Sequence, residues 1–430
     1  MRGRAFVTTF VPAMALALLL SVPARLHAYS VLAHESAIDA AWDRELRPLL
    51  LRRFPRSTPA ELERARSFAY GGSVIQDLGY YPFGNKFFSN LLHYARTGDF
   101  VESLVRNAQT VDELAFSLGA LAHYANDIAG HPLAVNRSVP LAFPKLRAKF
   151  GDEITYVQAP KHHVIVEFSF DVAQAARGRY SFTQYRSLLD FQVATALLER
   201  AFRDTYGLEM GDVFGDEERA IATYRYAVSQ LIPALTEAAW RDKREEILAN
   251  TPAADRSSVV FLYRPVDYEE TYGRNYQKPA RLARFLASVY RIVPKVGPLK
   301  PLAFKAPTPE VDRLFEDSIE RAHSRFQAML RQVRDGTLDL SNTNFDTGEP
   351  VHVHEYELAD ETHAEWLEAL ARHDFAGASP TVRRTLDSYY RNAPAPDPRD
   401  RKARKEWERV RTALARLDRA APPAAARRLD

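Results

Sequence analysis

Apolar positions along this chain recur with the period of an amphipathic helix far more often than with the alternation of a strand. Thr110 followed by Glu113 is a capping-box signature that opens a helix. Its segment 114–122 is almost wholly apolar, so this helix is expected to be buried. Pro132 disfavours helical geometry at His131, so the helix is predicted to stop near Gly130 with His131 at its exit. Pro160 suits a first helical position and predicts a helix over 160–176. Further helices are predicted at 37–54, 182–206, 217–250, 277–290, 309–334, 360–373 and 399–417. The best strand pattern, 258–263, is short. The fold class is therefore all-α.

Boundaries along the chain are soft. Segment 251–256 reads as a loop, 294–309 carries five prolines and cannot be a continuous helix, and Pro394, Pro396 and Pro398 set off the C-terminus. These marks divide the chain into 1–28, 29–250, 251–390 and 391–430. The first piece reads as a signal peptide. Arg2 and Arg4 precede a short apolar run over 11–20, and Leu26-His27-Ala28 supplies a cleavage region. Cleavage after Ala28 leaves Tyr29 as the mature N-terminus. Without a Cys there, an exported protein, periplasmic or extracellular and lacking a lipoprotein anchor, is expected.

The chain has 430 residues, ample for a large core, and no Cys, so no disulfide supports it. The net charge of +3 comes from Arg2, Arg4 and Arg25; the remainder balances 55 basic against 55 acidic side chains. A general polyanion-binding surface is not indicated. Residues 391–430 are the exception, with 12 Lys/Arg against 6 Asp/Glu.

The candidate chemistry sits in the apolar helix. His123, Asp127 and His131 fall at four-residue steps, which places them on one stripe. Buried imidazoles and a carboxylate require partners, and a metal ion suits this mixture. His163 and Glu167 repeat the four-residue step, Asp77 lies in Gly71-Gly72-Ser73-Val74-Ile75-Gln76-Asp77, and His93 and His34 add further imidazoles.

This set resembles the zinc-dependent phospholipase C and S1/P1 nuclease superfamily. The nearest variant is the catalytic domain of the glycosylphosphatidylinositol phospholipase D type, which shares the three-residue gap between Asp127 and His131 and the Tyr81-Pro82 that follows Asp77. The resemblance spans roughly residues 29–250. It implies an all-α fold with three Zn2+ ions. Asp77, His93, His123 and Asp127 would hold the first. Asp127 would bridge to a second, bound also by Tyr29 and His34. His131, His163 and Glu167 would hold the third. Asp77 would also serve as general base.

The implied activity is a phospholipase C-like phosphodiesterase acting on a phospholipid or membrane-surface substrate, with no stable protein partner. One alternative is an S1/P1-type nuclease acting on single-stranded nucleic acid, against which the balanced charge and the lack of Cys weigh. The other is a non-catalytic zinc-binding interaction protein. The residue after Asp77 is Leu78 rather than an aromatic, which argues against a choline preference.

Other features read as structural. His162 competes with His163, but the step to Glu167 favours His163. Tyr94 reads as packing. His352, His354 and His363, near Glu355 and Glu365, read as a surface loop and helix, and His373-Asp374 as chance. The basic tail reads as a solvated helix, with contact to anionic lipid the sharper reading, motivated by Arg401, Lys402, Arg404 and Lys405.

Overall fold

The computed structural model describes residues 31–176, 191–233, 304–391 and 401–420, with positions 235, 236, 239, 393–395 and 399. Tyr29, the expected cleavage region, strand 258–263 and helix 277–290 lie outside the described residues. α1 (Val31–Ala41) runs through a π turn (Trp42–Leu46) into α2 (Arg47–Arg53). α3 (Pro59–Gly72) leads through a 3-10 turn (Ile75–Tyr80) to α4 (Lys86–Tyr94) and α5 (Thr97–Asn107). α6 (Val111–Gly130) continues through a second π turn (His131–Val135) into α7 (Asn136–Ala142), followed by α8 (Pro144–Phe150) and α9 (Pro160–Ala176). α10 (Thr195–Tyr206), α11 (Met210–Val213) and α12 (Glu217–Tyr226) follow. The C-terminal part contributes α13 (Pro309–Asp335), α14 (Glu357–Arg372), α15 (Pro380–Tyr390) and α16 (Arg401–Arg419). No strand occurs among the described residues, only a bridge between Thr343 and Pro350. The molecule is all-α.

α6 is the axis of the molecule. The Thr110 hydroxyl accepts the Glu113 N–H at 3.2 Å, and the Glu113 carboxylate accepts the Gln109 N–H at 2.7 Å, so two donors at the helix start are satisfied. From residue 114 to 130 every side chain is buried, as an all-round apolar helix demands. α3 lies against it with almost no side chain between. A Cβ on Gly119 would stand 2.1 Å from the Ala69 carbonyl oxygen, and one on Gly72 would stand 2.0 Å from that of Phe116. Only glycine permits that approach, and it brings Ser73 and the 3-10 turn up to the polar stripe of α6.

The largest cluster of buried apolar side chains among the described residues takes in both halves of the chain. Leu114, Phe116 and Leu121 of α6 share it with Phe326 and Leu330 of α13, Trp366 and Leu370 of α14, and Val410 and Leu417 of α16. Trp366 also donates its indole N–H to the Tyr206 carbonyl at 2.8 Å. The apolar face of the basic tail helix is thus spent inside the molecule.

Three expectations need correction. The helix expected over 37–54 reaches back at least to Val31, the first described residue, where the Leu32 N–H donates to the Asp171 carboxylate at 3.2 Å. Residues 191–194, expected to be helical, are not; the Gln192 N–H donates instead to the Ser67 carbonyl at 3.1 Å, which docks this segment along α3. The α-helix carrying His123 ends at Gly130 as expected, but His131 is not at an exit, because helical backbone continues beyond it. The π turn shifts the hydrogen-bond register, with the Asn136 N–H reaching the His131 carbonyl, and so accommodates Pro132, which has no N–H to give. His131 therefore remains in helical backbone, on the same stripe as Asp127.

Candidate metal centre

α1 brings His34, the 3-10 turn Asp77, α4 His93, and α6 His123 and Asp127; these five side chains meet at one place. His34 Nε2 lies 3.3 Å from Asp127 Oδ1, His123 Nε2 3.1 Å from Asp127 Oδ2, and His93 Nε2 3.4 Å from the same oxygen and 3.3 Å from Asp77 Oδ1. The His34 and His123 rings stack with centroids 4.3 Å apart. The potential ligand atoms form three compact groups, each within 4.8 Å: His34, His123 and Asp127; Asp77, His93 and His123; and His131, His163 and Glu167. No other group of this kind occurs among the described residues. Of the nine residues expected here, Tyr29 alone is not described.

Three of the five imidazoles are held by their outward nitrogens. His93 Nδ1 is 2.7 Å from the Ser89 carbonyl, His123 Nδ1 3.0 Å from that of Ser73, and His163 Nε2 2.5 Å from that of Ile154. A carbonyl accepts only, so these nitrogens carry the protons and the opposite lone pairs face inward, the arrangement typical of metal-binding histidines. His123 Nε2, His163 Nδ1 and both oxygens of Asp77 and of Asp127 are buried and make no hydrogen bond. Atoms of this kind are costly to leave unpaired, and cations held by the three groups would satisfy them. The mixed imidazole and carboxylate set fits zinc.

Charge within the centre is strongly coupled. Burial would raise the Asp127 carboxyl, but His123, His131 and His34 outweigh it and hold the group well below the usual carboxylate range. Burial would lower His93, but Asp127 and Asp77 outweigh it and raise its pKa to about 9. His163 is pushed down to about 4 by burial, against the pull of Asp346. His34 is also lowered, by burial and by His123. An ionised Asp127 beside neutral His163 and His34 suits metal binding, whereas a bound cation would have to displace the proton that Asp127 and Asp77 favour on His93 and His123.

Residues 33–215 match the family model of zinc dependent phospholipase C. The match covers less than half of the chain, and over this part the chain is similar to that family. The matched stretch contains His34, Asp77, His93, His123, Asp127, His131, His163 and Glu167. No curated protein and no solved structure gives a significant match.

The remaining readings can be placed against this site. His162 packs edge-on against Phe143 and is in none of the three ligand groups, which leaves His163 in the cluster. Tyr94 is buried, packed against Tyr356 and His93. His373 makes an ion pair with Asp212 at 3.2 Å. His354 is exposed as expected, but His363 is buried, stacked on Tyr389 with centroids 3.7 Å apart; α15 covers the face that the sequence reading left to solvent. Two residues of the site escaped the sequence reading. Phe345 is fully buried against the His93, His123 and Tyr124 rings, and Asp346 approaches His131. Both sit in an irregular segment far from the other ligands, where no periodicity marks them.

Proposed function

We propose that the chain is an exported zinc-dependent phosphodiesterase that hydrolyses a phospholipid in the manner of a phospholipase C, with three Zn2+ ions bound. The observation that carries this reading is the convergence of Asp127 with three imidazole Nε2 atoms at 3.1–3.4 Å in a buried cluster of potential ligand atoms. Bound zinc supplies Lewis acidity, lowering the pKa of water and stabilising negative charge on phosphate oxygens. Asp127, within 3.4 Å of His34, His93 and His123, would be the carboxylate shared between two of the ions. Asp77 is the general base, taking the proton of the attacking water at a carboxylate oxygen. Ser73, Ser89 and Ile154 fix the imidazole orientations through their carbonyls. His93 and His131 are the histidines of the cluster with some solvent exposure, 5% and 7%, so substrate approaches on their side. Tyr29, as mature N-terminus, completes the second site. The Asp127–His131 gap and the Asp77, Tyr81 and Pro82 pattern set the chain nearest the glycosylphosphatidylinositol phospholipase D branch, with a head group other than choline.

The test is zinc-dependent turnover by the purified mature protein of a phospholipid panel and of single-stranded DNA, with Asp127→Asn as control. The expected result is release of a phosphorylated head group, abolished by chelation and lowered by several orders of magnitude in Asp127→Asn at unchanged helical content. Phosphatidic acid as product would move the cleavage to the other side of phosphorus. Cleavage of DNA alone would make the protein a nuclease, and zinc binding without turnover of either substrate would make it a binding protein.

A further inference from the structure

Asp346 lies beyond residue 215, where the family match ends, yet it reaches the metal centre. A tight turn presents it. The Asn344 N–H donates to the Glu349 carbonyl at 2.8 Å, the Gly348 N–H to the Asn344 carbonyl at 2.8 Å, and the Asp346 N–H to Asn344 Oδ1 at 2.9 Å. The turn is clamped to the catalytic helices. The Phe345 N–H donates to the His93 carbonyl at 3.1 Å, and Asn136 Nδ2 to the Asp346 carbonyl at 2.7 Å. The carboxylate is then fixed from one side only. Oδ2 accepts the Tyr156 N–H at 2.9 Å and the Tyr356 hydroxyl at 2.6 Å. Oδ1 is buried without a hydrogen bond and stands 3.8 Å from His131 Nδ1.

That distance is too long for a hydrogen bond. It equals the 3.8 Å from His131 Nδ1 to Glu167 Oε1, so the two carboxylates flank the same nitrogen alike. Ligand atoms sharing a zinc ion at bond lengths of about 2.0–2.1 Å stand between about 3 and 4 Å apart. His131, His163 and Glu167 make up the compact group, and Asp346 joins it through His131.

We propose that Asp346 is a fourth protein ligand of the His131, His163 and Glu167 site, so that the C-terminal region completes the metal centre. This rests on the zinc reading above. Two imidazoles and two carboxylates neutralise a divalent cation, where one carboxylate leaves the site positive. Tyr156 and Tyr356 act as positioning residues for Oδ1.

The test compares zinc content and chelator competition in the full-length protein, wild type against Asp346→Asn. The amide keeps an oxygen for Tyr156 and Tyr356 and turns its NH2 toward His131, so it cannot ligate there. One zinc per chain should be held at least tenfold more weakly, the others unchanged, at wild-type helical content. An unchanged competition curve, with zinc bound by the wild type, overturns the proposal alone; a wild type that binds no zinc overturns the zinc reading and the proposal with it. Should Asp346→Asn lose helical content, Tyr356→Phe carries the test. It keeps the charge and removes one hydrogen bond from Oδ2, and should weaken the same single zinc about tenfold, the effect typical of losing a ligand's own partner; no change there overturns the proposal.

Discussion

Chelation should destabilise this protein far more than the loss of a surface-bound ion would. Removing zinc leaves both oxygens of Asp77, both of Asp127, His123 Nε2 and His163 Nδ1 buried with no hydrogen bond. Each such atom costs about 1–3 kcal/mol if it stays unpaired, more where it is charged. Seen from the binding side, free zinc at a thousandfold excess over its dissociation constant stabilises the folded state by about 4 kcal/mol per site. In a cooperative unit of about 150–250 residues each kcal/mol moves the midpoint by about 2–4 °C, so one site is worth about 8–16 °C and further sites add to it. The assay is thermal unfolding followed by circular dichroism, first as isolated, then after chelation with metal content measured, then on back-titration with zinc and, separately, magnesium. The expected result is a drop of at least about 10 °C on chelation, restored by zinc. Magnesium, which prefers all-oxygen ligands, should not restore it. Identical midpoints for protein shown to be loaded and stripped would refute the reasoning, because the lone pairs would then be satisfied in some other way.

Three further outcomes follow from particular contacts. Gly119→Ala places a Cβ 2.1 Å from the Ala69 carbonyl and must part α3 from α6; we expect a loss of about 1–3 kcal/mol in denaturant unfolding, with weaker zinc retention because Ser73 moves with α3. His163→Ala should lose one zinc per chain, whereas His162→Ala, whose ring packs on Phe143, should lose none by elemental analysis. His363 is held neutral by burial, its pKa lowered to about 4 from the ordinary 6.5. The unfolded chain therefore takes up a proton at higher pH than the folded one, and the stability it contributes is complete above pH 6.5 and lost as pH falls toward 4. Against His363→Phe, which keeps a ring on Tyr389, the wild type should lose up to about 3 kcal/mol across that window in denaturant unfolding; parallel pH profiles would show that His363 does not titrate there.

What the sequence reveals of the centre follows from how local the signal is. His123 and Asp127, and His163 and Glu167, are separated by one helical turn, so periodicity alone puts each pair on a face. His34, Asp77 and His93 have no such relation to one another. They enter through the resemblance, and the meeting of α1, the 3-10 turn and α4 on α6 is what unites them. His131 was expected at a helix exit because Pro132 was read by the rule for an α-helix; a π turn satisfies the proline differently and keeps His131 on the stripe. His363 looked exposed because the stacking that buries it comes from Tyr389, 26 positions later. Asp346 carried no signal, since a lone carboxylate in a turn acquires meaning only from the side chains that surround it.

The placement of this centre links activity to stability in a way that disulfides usually keep separate. The chain has no Cys, and its most costly buried groups lie on the axis of the fold rather than at an edge. Metal ions there would join α1, the 3-10 turn, α4, α6 and α9, segments spread from residue 34 to 167, and closing long loops is where a cross-link constrains the unfolded chain most. The carbonyls of Ser73, Ser89 and Ile154 that aim the imidazoles belong to the same backbone that packs α3, α4 and α9 onto α6. A substitution that loosens this packing therefore weakens the metal, and loss of metal in turn loosens the packing. On the proposed reading zinc would act as both reagent and core, so variants that gain turnover by opening the ligand shell should be those that lose the most thermal stability.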